Sequence, residues 1–354
     1  MKIAIDVSHY NKLSWFGVVT RGLVDALMEL DTKNTYYFVT NVKINDQYLQ
    51  NFNNFPNGKL IVYESNYISY KFFGVTKILK EHDVDLYISL DQQLPLRKVC
   101  KYYCVSHDIL VKILWRWKLF KELLVWNLKF KDFIYYFMPF EEYSYHLADK
   151  IFTPSKNTKK DLIEKLWIHQ NNIIVMHRWM DHLQETSQYA WNKKNYILFP
   201  FPNNPTWFYL ELANKIIESW LSDSVIVLKP TWKVNELSNN KIKIITDRIS
   251  DLELIELYQN AKLSIYISDY DWFWFPPLES IFYGTPVIYK DHSCMDEVVW
   301  RWGIKVKDFD IEEFINEIRK FNDIDYYKDQ QTRWMDWINQ YQWKNTAQIL
   351  LDNL

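Results

Sequence analysis

The chain has 354 residues, 48% hydrophobic and 24% charged, with a formal net charge of −2; this is the composition of a globular protein long enough for two domains, and the charge gives no support to a nucleic-acid partner. Its three cysteines, Cys100, Cys104 and Cys294, form no metal-ligand pattern, so a reducing, cytoplasmic setting is expected. The N-terminus runs straight into the strand-like "KIAIDVSHY", which does not read as a leader, and no run of about 18 apolar residues marks a membrane span.

Along the chain, strand-like apolar runs at 2–7, 36–40, 59–63, 84–89, 101–105, 150–153 and 172–176 alternate with helix-period segments at 17–30, 70–82 and 156–167. The polar stretch 181–195, "DHLQETSQYAWNKKN", reads as a linker. A second series of strands follows at 195–200, 224–229, 242–246, 263–268, 286–289 and 303–306, with helices at 208–220, 251–260 and 310–320. Such alternation predicts α/β architecture with parallel sheets. The expected domains are 1–180 and 181–340, each doubly wound; a last helix within 341–354 could pack on either, with a return to the first domain preferred.

Ligands of doubly wound sheets bind where strand ends enter helices, and three such junctions stand out. After strand 2–7, "HYNKLSWFGVVTRGL" opens a helix near Gly17, an arrangement suited to an anion, though the dinucleotide spacing G-x-G-x-x-G is absent and an ordinary loop is the alternative. In "CVSHDIL", His107 and Asp108 lie just past a strand, where a histidine can bond a substrate hydroxyl or phosphate or serve the loop alone. In "DWFWFPPLES", Asp271 and Glu279 flank a turn and a helix start at Pro277. Carboxylates so placed can hold sugar or ribose hydroxyls.

One count is abnormal. Average usage of about 7% would give roughly 25 glycines, but the chain has 6, and its 17 tryptophans nearly make up the shortfall.

The stretch "ISDYDWFWFPPLESIFYGTPVI" resembles the signature region of family 4 glycosyltransferases, E-G-F-G-x-P-x-L-E followed by A-C-G-T-P-V-I, with Asp271 replacing the first Glu. Other segments resemble family motifs in the right order: "SWFGVVTRGL" the S-G-I-G-R-Y-T loop, "VSHDIL" the H-D motif, "FTPSKNTKKDLIEKLWI" V-S-x-x-S-K-x-D-L ending in L-G-I, "VMHRWMD" P-N-G-V-D, "DEVVWRWGIKV" P-E-V-V-G-x-x-G-I, and "QYQWKNTAQILL" the C-terminal F-S-W-x-x-T-A helix. Trp15, Trp167, Trp179, Trp272, Trp274 and Trp300 stand where the family has Gly, whereas Trp343 stands where it has Trp. Some bacterial lineages read UGA as Gly, and a translation table reading it as Trp would print this sequence; a genuinely Trp-rich relative is the alternative.

The resemblance implies a GT-B fold, two Rossmann-like domains facing a cleft, and a metal-independent, retaining transfer of a hexose from a nucleotide-diphosphate sugar to a glycan or lipid-linked hydroxyl acceptor, as in polysaccharide biosynthesis, with no cofactor. Trp15, Phe16 and Gly17 would approach the diphosphate, Glu279 would hold the ribose, Asp271 and the amides of Trp272, Phe273, Trp274 and Phe275 would hold the sugar, and His107 would contact donor sugar or acceptor. The family's Arg and Lys in the first loop of the second domain are missing from "LFPFPNNPTWFYL", leaving Lys229 or Lys233 as substitutes, and Val18 stands where the first loop has its Arg. A sugar-nucleotide epimerase of this fold and a non-catalytic relative are the alternatives. The basic, aromatic stretch 110–138 would either pack as a helix pair or lie on an anionic membrane surface.

Overall fold

The alternation of apolar runs and amphipathic stretches produces two all-parallel sheets in the computed structural model, which describes residues 1–107, 109, 140–177, 194–202, 206–228, 239–247, 249–268, 275–291, 294–299, 302–332 and 342–354. The chain divides into two compact units, Met1–His182 with Trp343–Leu354, and Leu183–Gln342. The expected linker and the stretch 110–138 lie mostly outside the described residues.

In the first unit β1 (Lys2–Asp6), β2 (Thr35–Thr40), β3 (Gly58–Val62), β4 (Leu86–Ser89), β5 (Lys101–Val105), β6 (Lys150–Thr153) and β7 (Ile173–Val175) order as β3-β2-β1-β4-β5-β6-β7. In the second, β8 (Tyr196–Pro200), β9 (Ser224–Leu228), β10 (Ile242–Ile245), β11 (Leu263–Tyr266), β12 (Val287–Lys290) and β13 (Gly303–Val306) order as β10-β9-β8-β11-β12-β13. Each order reverses once, between β1 and β4 and between β8 and β11. Central strands such as β4, "LYIS", and β11, "LSIY", are buried along their whole length, because helices cover both faces of a parallel sheet.

The expected helix 70–82 is not continuous. A short turn, Tyr67–Ser69, is followed by a π-helical turn, Tyr70–Gly74, and a regular helix, Val75–Glu81. Tyr70 and Lys71, both within the wider turn, are fully buried, and such turns recur near functional sites. The helix expected to start at Pro277 starts at Phe275. Pro276 and Pro277 then fall in its first turn, where a missing N–H breaks no intrahelical bond.

Two helices end on tryptophans in the left-handed region. Trp167 closes the helix Lys156–Leu166 at φ 53°, ψ 32°, and Trp220 follows the helix Thr206–Glu218 at φ 55°. The closure at Trp220 has the same bonds as the one at Gly284 (φ 69°). Trp220 N donates to Ile217 O and Leu221 N to Ile216 O; Gly284 N donates to Ile281 O and Thr285 N to Ser280 O. This turn favours glycine because a Cβ crowds the following carbonyl. The two indoles are 75% and 85% exposed, so little packing offsets the strain. Trp15, in contrast, opens the helix Trp15–Leu30 and is not at positive φ.

Candidate active site

At the switch point of the second sheet, the chain leaves β11 and enters the helix Phe275–Phe282. Tyr266, the last residue of β11, donates to Pro276 O (2.6 Å) and lies 2.9 Å from Ser280 Oγ, which donates to Ser264 Oγ (3.0 Å). These bonds tie the start of the helix to the strand. Tyr209, from the helix Thr206–Glu218, donates to Ile267 O and accepts from Ile267 N (3.0 Å), tying the segment after β8 to the end of β11.

Glu279 sits one turn into this helix and is buried. Tyr258 Oη donates to its Oε2 at 2.8 Å. Loss of solvent pushes the Glu279 carboxyl up to about 7, against the opposing effect of the Tyr258 bond, and Asp251 adds to the rise. A carboxylate can accept several hydrogen bonds, so Glu279 has acceptor capacity beyond Tyr258 for hydroxyl donors. The two prolines contribute no N–H to the helix start, so the amides at the start of this helix come from Phe275 and Leu278. Asp271, Trp272, Phe273, Trp274, Lys229 and Lys233 lie outside the described residues, as do Asp108, Trp179 and Trp300.

In the first unit, Trp15, Phe16 and His107 come together. The Trp15 and Phe16 rings stack at 3.7 Å, and each meets the His107 ring edge-on, at 4.7 and 4.8 Å. His107 is fully buried, and its Nε2 donates to Leu90 O at 2.6 Å. One ring nitrogen is therefore committed to the backbone. Gly17 is needed for a close approach: a Cβ there would come 1.7 Å from Lys12 O. Arg21 Nη1 holds this loop through Tyr10 O (2.6 Å) and Lys12 O (2.8 Å).

Sequence reasoning missed a buried polar cluster between the ends of β1 and β4. Lys71 Nζ lies 2.6 Å from both Asp6 Oδ2 and Asp91 Oδ1. Asp6 also accepts from Tyr70 and Tyr87, and Asp91 from Tyr67 (2.5 Å) and Ser89 (2.7 Å). Burial works against the ammonium, but the two carboxylates outweigh it and raise the Lys71 pKa, while the Lys71 charge helps hold Asp91 well below the usual range. Beside Asp91, Gln92 is held at φ 68°. The only sequence sign of this cluster was an acid at the end of β1.

No family model matches the sequence, and no curated protein matches it. Solved structures match end to end. Anabaena Alr3699/HepE in complex with UDP matches with a TM-score of 0.64 at 12% identity, over 99% of this chain and 98% of that one. A glycosyltransferase from Rickettsia africae ESF-5 gives 0.61 at 15% identity over 99% and 97%. The UDP-GlcNAc 2-epimerase from Neisseria meningitidis bound to UDP-GlcNAc gives 0.56 at 11% identity over 99% of each chain. Two doubly wound parallel sheets, matched over their whole length by glycosyltransferases, give this chain the GT-B fold.

Proposed function

We propose that the protein transfers a hexose from a nucleotide-diphosphate sugar to a hydroxyl of a glycan or lipid-linked acceptor, with retention of configuration and without a metal. The observation that carries this reading is Glu279, a buried carboxylate with spare acceptor capacity at the switch point of the second sheet. Support also comes from the matching structures, one a glycosyltransferase and another in complex with UDP.

In this reading Glu279 accepts bonds from the two ribose hydroxyls, and Asp271 with the amides of 272–275 holds the sugar. The acceptor oxygen forms a bond to the anomeric carbon as the bond to the diphosphate oxygen breaks, and the nucleoside diphosphate leaves with the electron pair, its departing oxygen taking the acceptor hydroxyl's proton. Its charge is met by amides, the helix N-terminus and a basic side chain such as Lys229. His107 contacts the donor sugar or acceptor, and the acceptor binds the first unit. The setting is cytoplasmic, at the inner face of a membrane if the acceptor is lipid-linked; no helix among the described residues is long and apolar enough to cross one.

Incubation with a panel of nucleotide sugars and acceptor glycosides, read by mass spectrometry, tests this. Release of nucleoside diphosphate with a glycosylated acceptor is expected. A changed sugar nucleotide with no acceptor present would instead favour epimerisation, the reading supported by the matching epimerase.

We also propose that the tryptophans at family glycine positions are encoded by UGA and are glycine in the organism. The left-handed backbone at Trp167 supports this, and Trp220 extends it to a position the motifs did not mark. UGG codons at 167 and 220 would end the proposal.

A further inference from the structure

The cluster at the switch point of the first sheet includes a partly exposed histidine, His9. Lys71 is fully buried between Asp6 and Asp91, and every carboxylate contact described there comes from the ammonium, a tyrosine, a serine, a backbone amide or His9. His9, on the loop after β1, is one of its partly exposed members. Its Nε2 faces Asp91 Oδ2 at 3.4 Å, and its side chain keeps 11% of its surface exposed. Its other nitrogen, Nδ1, is buried with no hydrogen-bond partner in the structure. The ring is held among aromatics, stacked on Phe16 at 5.0 Å and tilted against Tyr67 at 6.5 Å.

These positions dictate what Nδ1 can do. In the neutral ring, a carboxylate opposite Nε2 holds the proton on that nitrogen, so Nδ1 presents a lone pair. A buried acceptor left unmatched is unfavourable, and a ligand that donates to it gains from an atom already oriented. With the His9 ring neutral, two carboxylates and one ammonium leave the cluster with one excess negative charge. A diphosphate, which brings only more acceptors and negative charge, is therefore a poor occupant, and a neutral hydroxyl is a good one.

We propose that His9 Nδ1 accepts a hydrogen bond from a hydroxyl of the acceptor sugar, with Asp91 setting the tautomer as a positioning residue. This rests on the transferase reading above and adds to it a contact that favours a sugar hydroxyl over the diphosphate.

The test is nitrogen-15 NMR of the histidine rings in the full chain, titrated separately with methyl glucosides, methyl galactosides, UDP, inorganic phosphate and an ammonium salt. The expected result is that a methyl glycoside moves the His9 Nδ1 resonance while phosphate and ammonium do not. His9→Phe, which keeps a ring in the stack, should weaken glycoside binding at least tenfold and leave UDP affinity unchanged. Asp91→Asn should mix the two His9 tautomers, a change that loss of packing alone would not produce. The proposal is overturned if no glycoside moves that resonance, if phosphate or ammonium moves it instead, or if His9→Phe binds glycosides as before. If His9→Phe does not fold, the titration of the unsubstituted protein decides. UDP binding is read independently by calorimetry, so failure of the transferase reading and failure of this one are separate results.

Discussion

The indole of Trp343 fills the space that a side chain at Gly22 would need: a Cβ at 22 would lie 2.1 Å from Trp343 Cε2. This contact seats the helix Trp343–Leu351 on the helix Trp15–Leu30 within the first unit, where Trp343 is buried. Further along, Thr346 donates to His177 O (2.9 Å), and Asn353 O accepts from Tyr103 (2.7 Å) and Lys150 (2.5 Å). Trp343→Gly should therefore destabilise the first unit by roughly 4 kcal/mol or more, from lost packing plus the glycine penalty. Gly22→Ala should cost about 1–3 kcal/mol by overpacking. Urea denaturation of each variant measures both.

Trp167→Gly and Trp220→Gly should act in the opposite direction. Each relieves a left-handed strain of about 1–2 kcal/mol for a residue with a Cβ, offset in part by the entropy of glycine in the unfolded chain. A net gain of roughly 0.5–1 kcal/mol apiece is expected. The gain at 220 should be the smaller, because its indole also lies against Lys241 Nζ (5.2 Å from the ring centre). Thermal melting of the two single variants and the double variant checks the sign, and a lower melting temperature in both singles would refute it.

Glu279 makes stability depend on pH in a definite direction. Its folded-state pKa of about 7 lies above the ordinary 4.5. Between these values the folded state retains a proton that the unfolded chain has released, so stability falls as pH rises from 4.5 and the loss is complete above about 7. The full effect is about 3 kcal/mol. Glu279→Gln should match the unsubstituted protein at low pH and exceed it in stability at about pH 8. Denaturant midpoints across this window are the measurement.

The same carboxyl should couple nucleotide binding to proton release. Ribose hydroxyls that donate to Glu279 favour its charged form, so UDP affinity should rise as pH rises through 7 and level off above. Glu279→Gln should remove this dependence and weaken binding by about tenfold or more, since bonds to a charged group are worth roughly 1.5–3 kcal/mol. Calorimetry at about pH 6 and about pH 8, in buffers of different ionisation enthalpy, reads both the affinity and the released proton.

Trp15→Gly should uncover His107. Trp15 and Phe16 both lie edge-on to this fully buried ring, and removing the indole opens one side of it. Acylation of His107 by an imidazole-directed reagent, followed by peptide mass spectrometry, should be slow in the unsubstituted chain and faster in the variant. Equal rates would mean that Trp15 does not shield the ring.

The sequence by itself determined the α/β class and nearly every strand, because a strand buried on both faces must be a short apolar run and a covering helix must show its own period. It also marked Glu279 and His107, since both stand where a strand end meets a loop or helix, and it set Trp343 apart as the tryptophan that stands where the resembled family also has one. Only the tertiary structure decided what surrounds them. Lys71 meets Asp6 and Asp91 across 65 and 20 residues of chain, and Tyr258 reaches Glu279 across 21. These meetings follow from strand order, in which β4 lies beside β1 and β11 beside β8, and local periodicity carries no record of order. The inward turn of Tyr70 and Lys71 was hidden for a related reason: a π-helical turn and an ordinary helix are written in the same residues. The left-handed backbone at Trp220 was equally invisible, because a conformation that favours glycine leaves no local sign when tryptophan occupies it.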